Sequence, residues 1–216
     1  MSLKPYQREF IDFVLRLKIL RFGQFTLKSG RLSPYFFNSG LFNTGSTIGQ
    51  LGQFYAAAID EAALHFDLLY GPAYKGIPLA VTTAIALNRD FRKDTPFCFN
   101  RKEAKDHGES GITVGAPLQG RVLIIDDVIS AGTSVRESVD LIRQHGATPC
   151  GVVIALDRQE RGLGEHSAVQ ELQDELQLTV TRIIGLADLL EYLNEKPEMA
   201  QIRDRVDAYR QQYGAR

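Results

Sequence analysis

The sequence predicts an α/β fold: a central, mostly parallel sheet flanked by helices, preceded by a small N-terminal hood of short strands and a helix. Three observations predict it. Short, continuous apolar runs recur from Phe66 onward, as strands do when both faces of their sheet are covered. Amphipathic helical periods separate these runs, which is the pattern of parallel crossover units. The unusual polar residues gather where the runs end, the edge at which such sheets bind ligands.

Each element follows in order. Tyr6, Phe10, Phe13, Val14 and Leu17 share one helical face. The stretch FGQFTLKSGRLSPYFFNSG, rich in Gly, Ser and aromatics, reads as paired short strands joined by a turn at Ser29 and Gly30. Ile48, Leu51, Tyr55, Ala58, Ile59 and Ala62 mark a second helix. FDLLYG is a short strand broken by Gly71 and Pro72, and a helix runs from Gly76 to Leu87. PFCFNR and RVLIID are strands. Val135, Val139 and Ile142 mark a helix that Gly146 can end in a left-handed cap. CGVVIALD and LTVTRIIGL are further apolar strands, and Ile202, Val206, Tyr209 and Tyr213 belong to a C-terminal helix.

The chain has 216 residues, 44% of them hydrophobic, enough for one well-buried core. A single domain over residues 1–216 is expected, with the hood elements in about the first 45 residues. A net charge of -1 argues against a broad basic surface for duplex nucleic acid. Cys98 and Cys150 stand in unrelated contexts, so neither a zinc site nor a disulfide framework is indicated, and both are expected reduced in strands. The charged N-terminus lacks a signal-like apolar centre, and no apolar run reaches the roughly 18 residues of a membrane span. A cytoplasmic chain that binds neither membrane nor nucleic acid is expected.

RVLIIDDVISAGTS, Arg121 to Ser134, carries the most chemistry. Val122 to Ile125 bury well, whereas Asp126 and Asp127 would be costly to bury unpaired. They are expected just past the sheet edge, facing hydroxyls, a cation, or both. Val128 and Ile129 lead to Ser130, Ala131, Gly132, Thr133 and Ser134, whose small side chains let backbone approach a ligand. Backbone N–H groups and hydroxyls at a helix N-terminus make a phosphate cradle. One loop thus offers carboxylates for a polyol and donors for a phosphate, as a phosphorylated sugar needs. The plain alternative is a turn at Asp126 with Thr133 or Ser134 capping the helix. Neither GxxxxGK[ST] nor GxGxxG occurs.

This stretch resembles the phosphoribosyl-pyrophosphate (PRPP) signature of the type I phosphoribosyltransferase family, in which two acids contact the ribose hydroxyls and the following loop holds the 5′-phosphate. The resemblance implies that fold, and those roles for Asp126, Asp127 and the loop from Val128 to Ser134. TLKSGRLSPYFFNSG, GPAYKGIPLA, NRKEAKDHGE and ALDRQE, in that order, are similar to segments of the family's orotate-using, single-function branch. That branch implies Mg²⁺ as cofactor, orotate and PRPP as substrates, no fused decarboxylase domain, and a homodimer whose active sites are shared across the interface. Lys28, Tyr74, Lys75, Arg101, Lys102, Lys105 and His107 are then expected on PRPP; Lys102, Lys105 and His107, with the two acids, form the catalytic set. Phe36, Phe37, Ser130 and Arg158 are expected on orotate, Ser130 standing where relatives often carry Thr. Mg²⁺ is expected to be held mainly by substrate and water rather than by protein ligands. Residues 101–111 would be a mobile lid that excludes water. Without the resemblance, Phe36 and Phe37 read as core aromatics, Arg158 as half of a surface ion pair, and residues 101–111 as a solvated loop. Two alternatives keep the signature: transfer to another base, and a PRPP-binding regulator.

Overall fold

The computed structural model describes residues 3–27, 29–105, 111–162 and 164–215, without the side chains of Ala104 and Lys105. Helix α1 (Pro5–Arg16) begins on a proline, whose missing N–H costs nothing in a first turn. It buries Phe10, Ile11, Phe13 and Val14. Strands β1 (Leu20–Thr26) and β2 (Leu32–Phe37) pair antiparallel, as expected, around a turn in which Gly30 takes a φ of 79°. A short 3-10 turn (Ser39–Leu41) leads to α2 (Gly45–Glu61), where the Thr44 hydroxyl accepts from the Thr47 backbone N–H.

The remaining elements are β3 (Leu68–Gly71), α3 (Gly76–Phe91), β4 (Phe97–Lys105), β5 (Gly111–Gly115), β6 (Arg121–Asp126), α4 (Thr133–Gln144), β7 (Thr148–Asp157), α5 (Ala168–Leu176), β8 (Thr179–Gly185), α6 (Leu186–Asn194) and α7 (Ala200–Tyr213). The main sheet runs β5-β4-β3-β6-β7-β8. Every pair in it is parallel except β4 with β5. This is the mostly parallel central sheet that the sequence predicts.

Both faces of the sheet are covered, which is why its strands read as unbroken apolar runs. Along β6, Leu123 and Ile125 enter one core with α1, α2, α3 and α6. Val122 and Ile124 enter a second core with α4 and α5. Burying each such side chain stabilises the fold by about 1.5–3 kcal/mol. The N-terminal elements share the first core: the Phe10 and Phe54 rings meet edge-on at 5.2 Å, and Tyr35 of β2 is fully buried. The hood is thus fixed to the sheet rather than hung beside it.

Three readings change. The strand expected to end at Arg101 continues to Lys105, and Lys105 pairs with Gly111 of β5. Charge is tolerated there because this hairpin forms the sheet's edge. The expected lid is therefore strand over residues 101–105, and residues 106–110 lie outside the described residues. Leu186 opens α6 instead of closing β8, and α3 runs on to Phe91. Cys98 and Cys150 are free thiols in β4 and β7, and Gly146 takes a φ of 76° beyond α4.

Candidate active site

Asp126 ends β6 and Asp127 follows it, each 9% exposed. Local backbone satisfies part of both. Asp127 N–H donates to Asp126 Oδ1 at 2.9 Å, and Val128 N–H to Asp127 Oδ1 at 2.8 Å. The buried Tyr55 hydroxyl donates to the Asp126 carbonyl at 2.7 Å. Distant elements supply the rest. Lys75 Nζ, from the β3–α3 turn, donates to Asp127 Oδ2 at 2.7 Å and to Ser39 Oγ at 3.1 Å. Ser39, in the turn after β2, itself donates to Asp127 Oδ2. Burial, then repulsion from Asp127, pushes the Asp126 carboxyl up to about 6. Burial pulls Asp127 the same way, but the Lys75 and Ser39 hydrogen bonds outweigh it and hold that carboxyl below its usual value. The pair thus offers one firm anion and one carboxyl that titrates near neutrality.

The loop after them is anchored at its hydrophobic start and open at its polar end. Val128 rests on one core and Ile129 on the other. Ser130, Ala131, Thr133 and Ser134 are exposed, while Gly132 is buried with a φ of 74°. Arg136 donates to the Ala131 carbonyl at 2.8 Å and is itself held by Glu175, which fixes the loop's shape. Helix α4 then begins, so its positive end and free N–H groups stand beside exposed hydroxyls.

The β3–α3 turn is pressed against this edge. A Cβ on Gly71 would lie 2.2 Å from the Gly76 carbonyl oxygen, and one on Gly76 would lie 2.9 Å from the Ile125 carbonyl oxygen. Only glycine permits that approach, which carries Lys75 to Asp127. The Ala73–Tyr74 peptide is cis, and Ala73 N–H donates to Asn100 Oδ1 of β4 at 2.8 Å. Tyr74 is 68% exposed, and Lys102 Nζ stands 5.1 Å from its ring centre. Arg101 Nη1 donates to the Gly111 carbonyl at 3.4 Å.

The neighbouring strand end is built differently. Asp157 closes β7, and Arg158 turns back onto the hood. Its Nε donates to Glu160 Oε1 at 2.8 Å and its Nη2 to Ser33 Oγ at 2.9 Å. The guanidinium lies 4.2 Å from the Tyr35 ring centre. Strand residues alternate faces, so Phe37 shares the Ser33 and Tyr35 face and packs on the core. Phe36 takes the other face, stacked on Phe25 at 5.5 Å with Arg21 above.

The structure therefore brings Lys75, Asp126, Asp127 and the loop to Ser134 together, with Tyr74 in the β3–α3 turn and Arg101 and Lys102 on the part of β4 that runs past its pairing with β3. It sets Arg158 one strand away and puts the two phenylalanines on opposite faces of one hairpin. Lys28 and His107 lie outside the described residues, as does the Lys105 side chain. Ser39, Asn100, Ser33 and Glu160 were not singled out from sequence. Only Glu160 had a local signal, its place two residues after Arg158. Among the described residues, no group of three His, Cys, Asp or Glu side chains could hold a metal ion.

Paired acids at a strand end, then a small-residue loop opening a helix, define the phosphoribosyltransferase class. A model described as the phosphoribosyl transferase domain matches residues 43–180. The orotate phosphoribosyltransferases of Cronobacter sakazakii and Salmonella agona are 61% and 60% identical to this chain, over 98% of it and their full lengths. The crystal structure of the Francisella tularensis orotate phosphoribosyltransferase superposes with a TM-score of 0.88 at 40% identity, covering 96% of this chain and 100% of that one. A Mycobacterium tuberculosis orotate phosphoribosyltransferase solved with PRPP shares the fold, with a TM-score of 0.63 at 22% identity over 86% of this chain and 99% of that one. The chain belongs to the orotate phosphoribosyltransferase family.

Proposed function

We propose that this chain is a pentosyltransferase that moves the phosphoribosyl group of PRPP to orotate, giving orotidine 5′-phosphate and pyrophosphate on the route to UMP. The observation that carries the PRPP half is the Lys75–Asp127–Ser39 cluster beside an open small-residue loop. An ammonium, two carboxylates and a helix N-terminus match the charges and hydroxyls of that sugar phosphate. Likeness over full length to orotate enzymes supports the acceptor.

In this reading Asp126 and Asp127 accept hydrogen bonds from the ribose hydroxyls, and the backbone and hydroxyls from Val128 to Ser134 hold the 5′-phosphate. Lys75 exchanges Asp127 for the pyrophosphate, where Tyr74, Arg101, Lys102, Lys105, His107 and Lys28 join it. Arg158, Ser130, Phe36 and Phe37 take orotate, the guanidinium meeting its carboxylate. A ring nitrogen of orotate gives up its proton to solvent and bonds to the anomeric carbon. The bond from that carbon to pyrophosphate oxygen breaks, its electron pair leaves with pyrophosphate, and configuration inverts. Positive charge grows on the sugar and negative charge on the leaving group, so cations at the leaving group lower the barrier most.

Two carboxylates beside exposed hydroxyls are hard oxygen donors, which suit Mg²⁺ carried mainly by substrate and water. Bound Mg²⁺ would supply charge neutralisation on the leaving pyrophosphate. A homodimer with active sites shared across the interface and a cytoplasmic location complete the reading.

The experiment is pyrophosphate release from PRPP and Mg²⁺ with orotate, uracil, hypoxanthine or adenine. Release with orotate alone is expected. Release with a different base overturns the acceptor, and PRPP binding without release from any base overturns the enzyme in favour of a PRPP-binding regulator.

A further inference from the structure

Arg158 is a closely held cation at the end of β7. Glu160 Oε1 takes one edge of the guanidinium, accepting from Nε at 2.8 Å and lying 2.6 Å from Nη2. Ser33 accepts from Nη2 on its other side, and Tyr35 lies beneath the plane. These contacts engage Nε and Nη2, and Nη1 takes part in none of them. The Arg158 and Glu160 side chains are only 17% and 12% exposed.

Glu160 is itself held from behind. Its second oxygen lies 3.7 Å from Arg31 Nη1, and Arg31 also donates to the carbonyls of Arg161 and Gly162. Its backbone forms a bridge with Gly214 near the C-terminus. On either side of that bridge, Ala215 N–H donates to the Gln159 carbonyl and Arg161 N–H to the Tyr213 carbonyl, both at 2.9 Å. Hood and β7 loop therefore meet at the Glu160 carboxylate, while the C-terminal segment pins the backbone that carries it. Two guanidiniums against that carboxylate leave a single positive charge, which suits a ligand that brings one further negative group.

We propose that Glu160 is a positioning residue: it clamps Arg158 by one edge so that the remaining Nη1 edge is presented, already ordered, to the carboxylate of the acceptor base. This rests on the placement of orotate at Arg158. A free arginine would give up its rotamer freedom on every binding event, whereas a clamped one has already done so. The clamp also weakens the guanidinium's bare charge, so geometry and charge act oppositely on affinity. The near-complete engagement of Nε and Nη2 makes geometry the larger effect.

The test uses the full-length enzyme with Arg158→Ala, Glu160→Gln and Glu160→Asp, reading kcat, both KM values, orotate binding by calorimetry, and Tm. Glu160→Gln keeps the shape and weakens the clamp; the expected result is an orotate KM raised about tenfold, with kcat and the PRPP KM moving by less than about twofold. Glu160→Asp, which restores the charge, recovers part of the loss. An orotate KM unchanged or lowered in Glu160→Gln, while Arg158→Ala raises it, overturns the clamp and leaves orotate at Arg158 intact. Both KM values and Tm shifting together in Glu160→Gln overturns the proposal in favour of a purely structural residue. An unaltered orotate KM in Arg158→Ala removes orotate from this guanidinium, and the proposal falls with that placement.

Discussion

Strands β6 and β7 lie side by side in parallel, and each ends on a buried aspartate. Their edges are nonetheless built for opposite purposes. After Asp126 come a second acid and a run of small residues whose polar groups face outward. The partners of Asp127, Lys75 and Ser39, come from other elements, and the Lys75 side chain is largely exposed, so a ligand can reach it. After Asp157 come Arg158, Gln159, Glu160 and Arg161, all tied to the hood, to α6 or to the C-terminus. The first edge exchanges partners, while the second preserves one geometry. A sugar diphosphate that must bind, react and leave suits the first, and recognition of a rigid planar base suits the second.

The largest expected effect tests the exchanging edge. Asp127→Asn keeps the size of the side chain but removes the anion that Lys75 and the ribose hydroxyls would share. A hydrogen bond to a charged group is worth about 1.5–3 kcal/mol, so kcat/KM for PRPP should fall roughly 10- to 100-fold. Steady-state kinetics at saturating orotate checks this. If the loss appears in the orotate KM alone, the contrast between the two edges is wrongly drawn.

A smaller effect comes from Asp126. Its folded carboxyl titrates at about 6, above the roughly 3.9 of an unfolded aspartate. The folded chain therefore holds this proton more tightly than the unfolded chain, and Asp126 costs stability as pH rises from about 4 to 6. Asp127, held low, has the opposite sign and loses its stabilising contribution as pH falls through the carboxylate range. For PRPP the protonated form of Asp126 has lost an acceptor, so affinity should weaken as pH drops through about 6. The ligand's own phosphates titrate in the same window. The readout is accordingly the difference between wild-type and Asp126→Asn binding profiles, which should narrow below that pH. A constant difference across the range would remove Asp126 from the titration.

The exchanging edge was legible because thirteen contiguous residues, Val122 to Ser134, hold the strand, the ligand groups and the helix start. The preserving edge was not. Ser33, Arg31 and Gly214 reach Arg158 or Glu160 only after the hood and C-terminus have folded onto β7, and no local period announces such contacts. The two missed helices differ in kind. Ser167 and Gln170 form a capping box that could have flagged α5. For α6, the apolar run of β8 continues straight into Leu186, so strand and helix merge in the sequence. Strand β5 escaped because five residues bounded by glycines, on the sheet's edge, carry little apolar signal.

The smallest effect falls on Ser39, a hood side chain that reaches the exchanging edge. It accepts from Lys75 and donates to Asp127, so it ties these two charges together before any ligand arrives. Ser39→Ala removes both bonds, yet Lys75 and Asp127 remain 2.7 Å apart and water can reach the exposed side. The two consequences oppose each other. Losing a donor makes Asp127 a less well-ordered acceptor, while loosening the latch frees Lys75 for pyrophosphate. A net change of about 1 kcal/mol or less follows, seen as a few-fold rise in the PRPP KM with the orotate KM unmoved. A rise in the orotate KM instead would mean that the hood acts on both edges as one body, and the division between an exchanging and a preserving edge would have to be given up.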